Sequence, residues 1–166
     1  MKPISIFLVL VLICGSGYAQ LADASAKVAA EFCIKISAWE KGIAGGGDVT
    51  IYVLDNPEVA QELTNFIGKP IGKSILIKVE EGNTLPSSKP SILFVGNPRM
   101  AASAIQYSRE NDVLSVSHAP SLCWEGVTLG FGIERLKPRI ILNLSSSVAE
   151  NLDWNPAIMK IAKTMK

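Results

Sequence analysis

Alternating apolar positions near the end of the chain predict a hairpin of two β-strands. Apolar side chains occupy every second position, first at Val127, Leu129, Phe131 and Ile133, and then at Ile140, Leu142 and Leu144. A period of two is typical of strands that turn one face to the core. Pro138 fits the connection between the strands better than a sheet interior, because proline donates no hydrogen bond to the ladder. The pattern after the hairpin predicts a closing helix.

Apolar spacing upstream changes from helical to strand-like. Residues 20–40 predict a helix, because one apolar stripe recurs every three or four positions, at Val28, Phe32, Ile36 and Trp39. Glu31 precedes Lys35 by four residues, the favoured order for an ion pair on a helix. The glycine-rich residues 41–48 predict a loop, and the consecutive apolar positions of 49–54 predict a strand covered on both faces.

An Asn-Pro pair occurs three times and predicts three helix starts. The pairs are Asn56-Pro57, Asn97-Pro98 and Asn155-Pro156. Asparagine caps the first amides of a helix, and proline at the next position loses no hydrogen bond. The first two pairs follow apolar strands and repeat one construction, Leu-Asp-Asn-Pro and Val-Gly-Asn-Pro, forty-one residues apart.

The segments between these helix starts complete the order of elements. The helix that begins at Asn56-Pro57 is predicted to end near Gly68. Residues 74–79 predict a strand, and residues 80–89 predict a polar loop after it. Residues 92–95 and 113–117 predict two more strands, with a helix that runs to about Arg109 between them. Strand, helix and strand follow one another twice, so we expect two right-handed parallel crossovers. The sequence therefore predicts a three-layer α/β sandwich, with flanking helices around a mixed sheet of about six strands and the antiparallel hairpin at its edge.

The first 19 residues have the features of a cleavable secretory signal peptide. Lys2 precedes an uninterrupted apolar run at 6–14, and small residues favour cleavage between Ala19 and Gln20. Cys14 suggests a lipoprotein site, but the bulky Ile13 before it argues against that alternative. The run is too short to span a membrane, and no later stretch reaches the required ~18 apolar residues. We expect one periplasmic domain over residues 20–166.

The balance of basic and acidic side chains limits the kinds of binding partner that the sequence supports. The chain has 16 basic and 15 acidic side chains, and removal of Lys2 with the signal peptide leaves the two numbers equal. Such a balance gives no support for binding to nucleic acid or attraction to an anionic membrane surface. One histidine and scattered carboxylates cannot form a metal site, and we expect no cofactor.

Residues 117–126 hold the strongest functional candidates. They follow a parallel strand, where ligand sites of open α/β sheets lie, and they contain His118, Cys123, Trp124 and Glu125. Trp124 and His118 suit contact with a partner or ligand, because each combines apolar area with a polar tip. The structural alternative is an ordered loop whose tryptophan packs inward. A Cys123–His118 nucleophile pair lacks an orienting third group, so we predict that the protein is not an enzyme.

Other candidates each have an ordinary structural explanation. Arg99 lies beside a helix start that could bind an anion, but the asparagine cap already satisfies those amides. Gly126, Gly130 and Gly132 fail as a dinucleotide fingerprint, because Arg135 replaces the next glycine and a strand replaces the helix. Asn143 is predicted to make structural hydrogen bonds. The two remaining cysteines, Cys33 and Cys123, either form a redox-sensitive disulfide or act as small hydrophobic residues.

The C-terminal third resembles the YfiR-like family of periplasmic regulatory proteins. Its motifs match without a gap at Leu142-Asn143-Leu144, at Leu152 and at Ile158-Met159-Lys160-Ile161-Ala162. Lys35 and Trp39 match a further pattern in the N-terminal helix. Departures occur at Asn151, where glycine is usual, at Asn155-Pro156, where two serines are usual, and at Glu40, where proline is usual.

The resemblance implies a sensor or repressor that acts through protein contacts. Such proteins bind and modulate an inner-membrane signalling protein, either a diguanylate cyclase, which makes cyclic-di-GMP, or a sensor kinase. The resemblance also implies a homodimer. The alternative is a periplasmic small-molecule-binding module, in which residues 117–126 would close over a pocket beside Trp124.

Overall fold

A mixed β-sheet of nine strands organises residues 21–166, which are the residues that the computed structural model describes. The spatial order is β3-β4-β2-β5-β6-β7-β8-β9, and β1 pairs with β7. The strands are β1 (Ala22–Asp23), β2 (Gly47–Leu54), β3 (Pro70–Ile71), β4 (Ser74–Gly82), β5 (Ile92–Val95), β6 (Leu114–Ser117), β7 (Leu129–Glu134), β8 (Lys137–Asn143) and β9 (Lys163–Met165). The five central strands, from β4 to β7, are parallel, whereas β7 and β8 form the antiparallel hairpin.

Helices cover both faces of the sheet. They are α1 (Ala26–Ser37), α2 (Lys41–Ala44), α3 (Pro57–Thr64), α4 (Ala101–Asn111), α5 (Leu122–Glu125) and α6 (Leu144–Ala149), with 3₁₀ helices at Pro98–Met100 and Pro156–Lys160. On one face, α1 and α3 pack on β2 side chains such as Val49 and Ile51. On the other, α4 and α5 pack on Leu54, Leu93 and Val95. The α/β class predicted from the sequence is confirmed.

The three Asn-Pro pairs begin helices as predicted. The side-chain oxygen of Asn56 accepts a hydrogen bond from the amide of Val59 at 3.1 Å, and α3 follows. Asn97 and Asn155 cap in the same way, with the amides of Arg99 and Ala157 as donors at 2.9 and 3.0 Å. All three Asn-Pro pairs therefore marked helix starts correctly. The second pair, Asn97-Pro98, and the third, Asn155-Pro156, begin 3₁₀ helices.

The sheet has more strands than the predicted six. The three additional strands, β1, β3 and β9, have only two or three residues, which is too short to show a period in the sequence. The segments 20–40 and 41–48 also divide differently, because α1 begins only at Ala26 and α2 occupies part of the expected loop. Edge strands of this length are defined by pairing with their neighbours, which an apolar pattern does not record.

Two predictions near the C-terminus were wrong. The predicted closing helix is a five-residue 3₁₀ helix, Pro156–Lys160, and the chain then enters β9 beside β8. Pro138 lies within β8, opposite Ile133, and not in the connection. Proline is tolerated there because β9 pairs only with Ile141–Asn143, which leaves the edge of β8 at Pro138 without a partner strand.

The predicted signal peptide and its cleavage site lie outside the described residues. Within residues 21–166, no helix has the length and apolar character that a membrane crossing requires.

Candidate functional site

Hydrogen bonds fix the segment 117–126 at the carboxyl end of β6. The hydroxyl of Ser117 donates to the carbonyl of Val95 at 2.8 Å and accepts from the amide of Ala119 at 3.1 Å. The carbonyl of His118 accepts from the amide of Ala24 at 2.9 Å, which joins the segment to the start of α1. The segment is therefore held from both sides.

Two glycines of β7 let this segment approach the sheet closely. A Cβ added to Gly130 would lie 2.6 Å from Sγ of Cys123 and 2.9 Å from Cα of Pro120. A Cβ added to Gly132 would lie 2.8 Å from Cγ of Pro120. These contacts are shorter than real Cβ atoms tolerate, so the two glycines have a packing role, in agreement with the rejection of a dinucleotide fingerprint.

Trp124 is the largest exposed apolar side chain of the segment. Leu122 and Cys123 are buried, which anchors α5, while Trp124 is 60% exposed and Glu125 beside it is also exposed. The expectation of an inward-packed tryptophan is therefore wrong. A four-residue helix cannot turn all its side chains to the core, and the two before Trp124 already fill the site. A rigidly held, exposed tryptophan is well suited to protein contact.

His118 is half-buried and held in place by stacking. Its ring stacks on Phe94, with ring centres 6.1 Å apart and an angle of 11° between planes. Burial lowers the pKa of His118 below its usual value, an effect that Asp23 opposes. Nδ1 is buried and has no hydrogen-bond partner within residues 21–166. Burial therefore favours the neutral form of the ring.

Both cysteines are free and buried, on opposite faces of the sheet. Cys33 of α1 belongs to the core formed by α1 and α3, whereas Cys123 packs beside Gly130 on the face that α4 and α5 cover. Burial raises the pKa of each thiol to about 12. For Cys123, the nearby Glu150 carboxyl adds a smaller effect in the same direction. Such thiols have little thiolate at neutral pH and are poor nucleophiles.

Arg99 reaches the same edge of the sheet as the segment 117–126. It is exposed at the first turn after β5, which is the strand next to β6. Close by, Nδ2 of Asn97 donates to the Oδ2 of Asp55 at 2.5 Å, which connects the ends of β5 and β2. Arg99 and His118 therefore lie at the carboxyl edge of the sheet, whereas Trp124 and Glu125 are carried by α5, which packs on β7 through Cys123 and ends beside α4 at Gly126.

A buried carboxyl group, Glu150, lies beside Ser115 near the start of β6 and was missed in the sequence. It is fully buried and accepts hydrogen bonds from the amide and the hydroxyl of Ser115. Burial raises its pKa to about 7, and the Ser115 donors oppose this shift. The Thr128 hydroxyl lacks a well-formed hydrogen bond, yet it is near enough to lower the pKa slightly, as does Arg109.

Asn143 ties the hairpin to α5, as its predicted structural role requires. Its Nδ2 donates to the carbonyl of Cys123 at 2.7 Å, and its Oδ1 accepts from the amide of Ser146 at 2.9 Å. The second bond caps α6. Asn143 therefore fixes the helix that carries Trp124.

A surface cleft of about 240 Å³ opens at the opposite edge of the sheet, where the parallel strands begin. Its lining includes Glu40, Asp48, Ser74, Ser91 and Asp112. Glu40 is already engaged by the amides of Ile43 and Asp153, at 2.6 and 2.9 Å. The position of this cleft gives no support to a pocket beside Trp124.

Comparison with known proteins agrees with the resemblance in the C-terminal third. The model of the family described as DUF4154, YfiR/HmsC-like, matches residues 26–163. Among solved structures, the chain resembles a conserved domain protein from Vibrio cholerae O1 biovar eltor, with a TM-score of 0.54 and 13% identity. The alignment covers 86% of this chain and 60% of that one, so at this identity it supports the fold alone. No curated protein matches the chain. Because the family model spans most of the described residues, the chain belongs to the YfiR/HmsC-like family.

Proposed function

We propose that this protein is a non-enzymatic periplasmic regulator that binds an inner-membrane signalling protein and modulates it. The proposed partner is a diguanylate cyclase or a sensor kinase, the two classes that family membership suggests. The observation that supports contact with a protein is the exposed Trp124 on a helix whose position is fixed.

Preorganisation of the segment around Trp124 favours binding to a partner. Aromatic side chains at the centre of interfaces contribute most when they do not have to be ordered on binding. The backbone that carries Trp124 meets this condition, because Asn143, Gly130 and Ser117 hold its segment against the sheet. Glu125, exposed beside Trp124, provides a charge for the rim of such an interface, and Arg99 remains a separate candidate at the carboxyl edge of the sheet. His118 supports the segment through Phe94 and contributes less directly.

The buried thiols support a role without covalent catalysis. A thiol with its pKa raised to about 12 would be protonated at neutral pH, and Sγ of Cys123 faces the carbonyl of Ile141 at 4.0 Å. We propose that both cysteines are structural in the resting protein.

A deletion and complementation experiment tests the regulatory role. The gene is deleted, and cyclic-di-GMP and the output of the kinases of the host are measured with wild-type protein or Trp124→Ala returned on a plasmid. We expect a change on deletion that wild-type protein reverses and Trp124→Ala does not. Ile77→Ala is the matched control, because Ile77 is an exposed apolar residue on β4, away from β6.

We also propose that the protein acts as a homodimer. Sedimentation equilibrium of the purified protein would report about twice the mass of the monomer. A monomeric mass at micromolar concentration would contradict this part of the proposal without affecting the regulatory role.

A further inference from the structure

Residues 20–166 have equal numbers of basic and acidic side chains, yet the positive charge is concentrated in two short stretches. Residues 134–139 and 160–166 contain six cationic side chains and a single carboxylate, Glu134. The rest of residues 20–166 has nine cationic and 14 acidic side chains. Overall balance therefore hides a basic region on a molecule that is otherwise acidic.

The fold brings the two stretches together. The first forms the β7–β8 hairpin end, and the second runs beside β8 into β9. Between them lies an open cleft of about 370 Å³, lined by Arg139, Lys160 and Lys163 together with Ile140 and Ile161. We call the cleft and the adjoining hairpin end, residues 134–139 and 160–166, the basic edge.

The single carboxylate of the basic edge is already paired. Oε2 of Glu134 accepts a hydrogen bond from Nε of Arg139 at 2.7 Å. Lys160 and Lys163 form no salt bridge with any acidic side chain of residues 21–166. Their charges therefore face the solvent without an internal counterion.

The tip of the β7–β8 hairpin exposes the apolar side chain of Leu136, and the backbone there is strained. Arg135 and Leu136 connect the paired residues Glu134 and Lys137, and both have positive φ angles, 49° and 63°. Two-residue turns of this kind favour Asn-Gly, because side chains such as leucine are strained in the left-handed region. Leu136 is nevertheless 95% exposed and packs on nothing. Strain of this kind without a packing benefit points to a role in contact with another surface.

We infer that the basic edge docks on a layer of anionic phospholipid, with Leu136 entering the boundary between headgroups and acyl chains. Cationic side chains near an anionic lipid surface each strengthen binding by about fivefold, and an apolar side chain adds burial from water. Ile161, which is 48% exposed at the rim of the cleft, supplies further apolar area.

A lipid layer fits the basic edge better than an acidic protein does. Leu136 projects from a convex tip, so a protein partner would need a matching depression, whereas a fluid layer adapts to it. The unpaired cations at the cleft are lysines, which act as hydrated point charges and suit mobile phosphates without fixed geometry. An acidic protein partner is therefore the alternative that the experiment has to separate.

The tip of the basic edge lies away from the segment that carries Trp124. Cys123, next to Trp124, packs beside Gly130 and faces Ile141, whereas the hairpin tip follows Glu134. Gly130 and Glu134 are four positions apart on β7, a distance of about 13 Å along an extended strand. Lys163, by contrast, pairs with Ile141, so the cleft of the basic edge adjoins the segment that carries Trp124.

Co-sedimentation with vesicles tests the inference. Protein purified from its host in its natural processed form is mixed with vesicles of phosphatidylcholine, alone or with one third phosphatidylglycerol. We expect binding only to the anionic vesicles, with a loss at high salt. Lys160→Gln/Lys163→Gln should weaken it by about 25-fold, at about fivefold for each lysine. The control Lys73→Gln/Lys89→Gln removes the same charge from exposed lysines that precede β4 and β5, separated from the basic edge by β6 and β7, and should bind as wild type.

A second variant separates binding from folding. Arg135→Asn/Leu136→Gly gives the turn its preferred residues, so we expect a more stable protein that binds anionic vesicles less tightly. Equal binding to both kinds of vesicle, or an equal loss in the control variant, would overturn the inference. So would absence of vesicle binding from a protein whose basic edge instead captures a soluble acidic protein.

Discussion

The carboxyl group of Glu150 accepts a hydrogen bond from the backbone amide of Ser115 at 3.0 Å, deep inside the protein. The two residues are 35 positions apart in sequence, and the bond joins the end of α6 to the middle of the sheet. The Ser115 hydroxyl also donates to this carboxyl group and accepts from the amide of Thr128 at 2.9 Å. One acidic side chain therefore connects β6, α6 and the start of the hairpin.

The first prediction concerns the pH dependence of stability. Burial raises the pKa of Glu150 to about 7, from 4.5 for an ordinary glutamate, with Ser115, Thr128 and Arg109 opposing the shift. Between these values the folded protein keeps a proton that the unfolded chain has lost. Folding therefore becomes less favourable as pH rises through this window, by about 3 kcal/mol in total, and the effect levels off above pH 7. Urea unfolding from pH 5 to pH 8 measures it.

Glu150→Gln is the control for this prediction. Glutamine keeps the shape and an accepting oxygen but does not titrate. The free energy of unfolding of the wild type, minus that of the variant, should fall as pH rises from 5 to 7. Parallel pH profiles for the two proteins would show that Glu150 is not the group responsible. Cys123 faces the same carboxyl group but, with its pKa raised to about 12, does not titrate in this range.

The second prediction concerns the close packing of α5 on the sheet. Gly130→Ala places a methyl group 2.6 Å from Sγ of Cys123 and 2.9 Å from Cα of Pro120, so the segment must move. We expect a loss of about 1–3 kcal/mol in the free energy of unfolding, which is typical of overpacking. Denaturant unfolding measures the loss.

A double variant checks the cause of that loss. Cys123→Ala removes the sulfur and relieves one of the two short contacts, while the contact with Pro120 remains. Gly130→Ala should therefore cost less in the Cys123→Ala background than in the wild type. An equal cost in both backgrounds would mean that the contact with Cys123 is unimportant.

The third prediction concerns the thiols. Cys33 and Cys123 lie on opposite faces of the sheet, and both are buried, so the folded protein should protect them from a thiol reagent. In unreduced protein that begins at Gln20, we expect two reactive thiols in denaturant and almost none without it. A mass two daltons lower with no reactive thiol in denaturant would reveal an internal disulfide instead.

The fourth prediction concerns the surface around Trp124. Because Trp124 is 60% exposed, Trp124→Ala should change the free energy of unfolding by less than about 1 kcal/mol. A change of several kcal/mol would show that the tryptophan is a core residue and would remove the main support for a binding role.

Much of the fold could be predicted because its signals are local. The Asn-Pro pairs mark helix starts through bonds to the next few amides, and the strand at 92–95 was predicted with its observed bounds. The short strands β1, β3 and β9 are instead defined by pairing with distant residues, for which the sequence has no period. The predicted closing helix failed for the same reason, since the residues after Lys160 pair with β8.

The candidate site was only partly predictable. The carboxyl edge of the sheet follows from strand order, so Arg99 and the start of the segment at Ser117 and His118 could be placed there. Whether Trp124 packs inward depends on which neighbours fill the core, and Leu122 and Cys123 do so here. Glu150 gave no signal, because nothing local in the sequence distinguishes a buried carboxyl group from a solvated one. Net charge likewise concealed the basic edge, because it averages over the whole surface.

Capture of the membrane partner tests the central claim most directly. Tagged wild-type protein, Trp124→Ala and Ile77→Ala are cross-linked in intact cells, membranes are solubilised, and the captured proteins are identified by mass spectrometry. We predict that wild type and Ile77→Ala capture an inner-membrane diguanylate cyclase or sensor kinase and that Trp124→Ala loses it. Capture of no inner-membrane signalling protein by wild type, together with unchanged cyclic-di-GMP after deletion, would contradict the account.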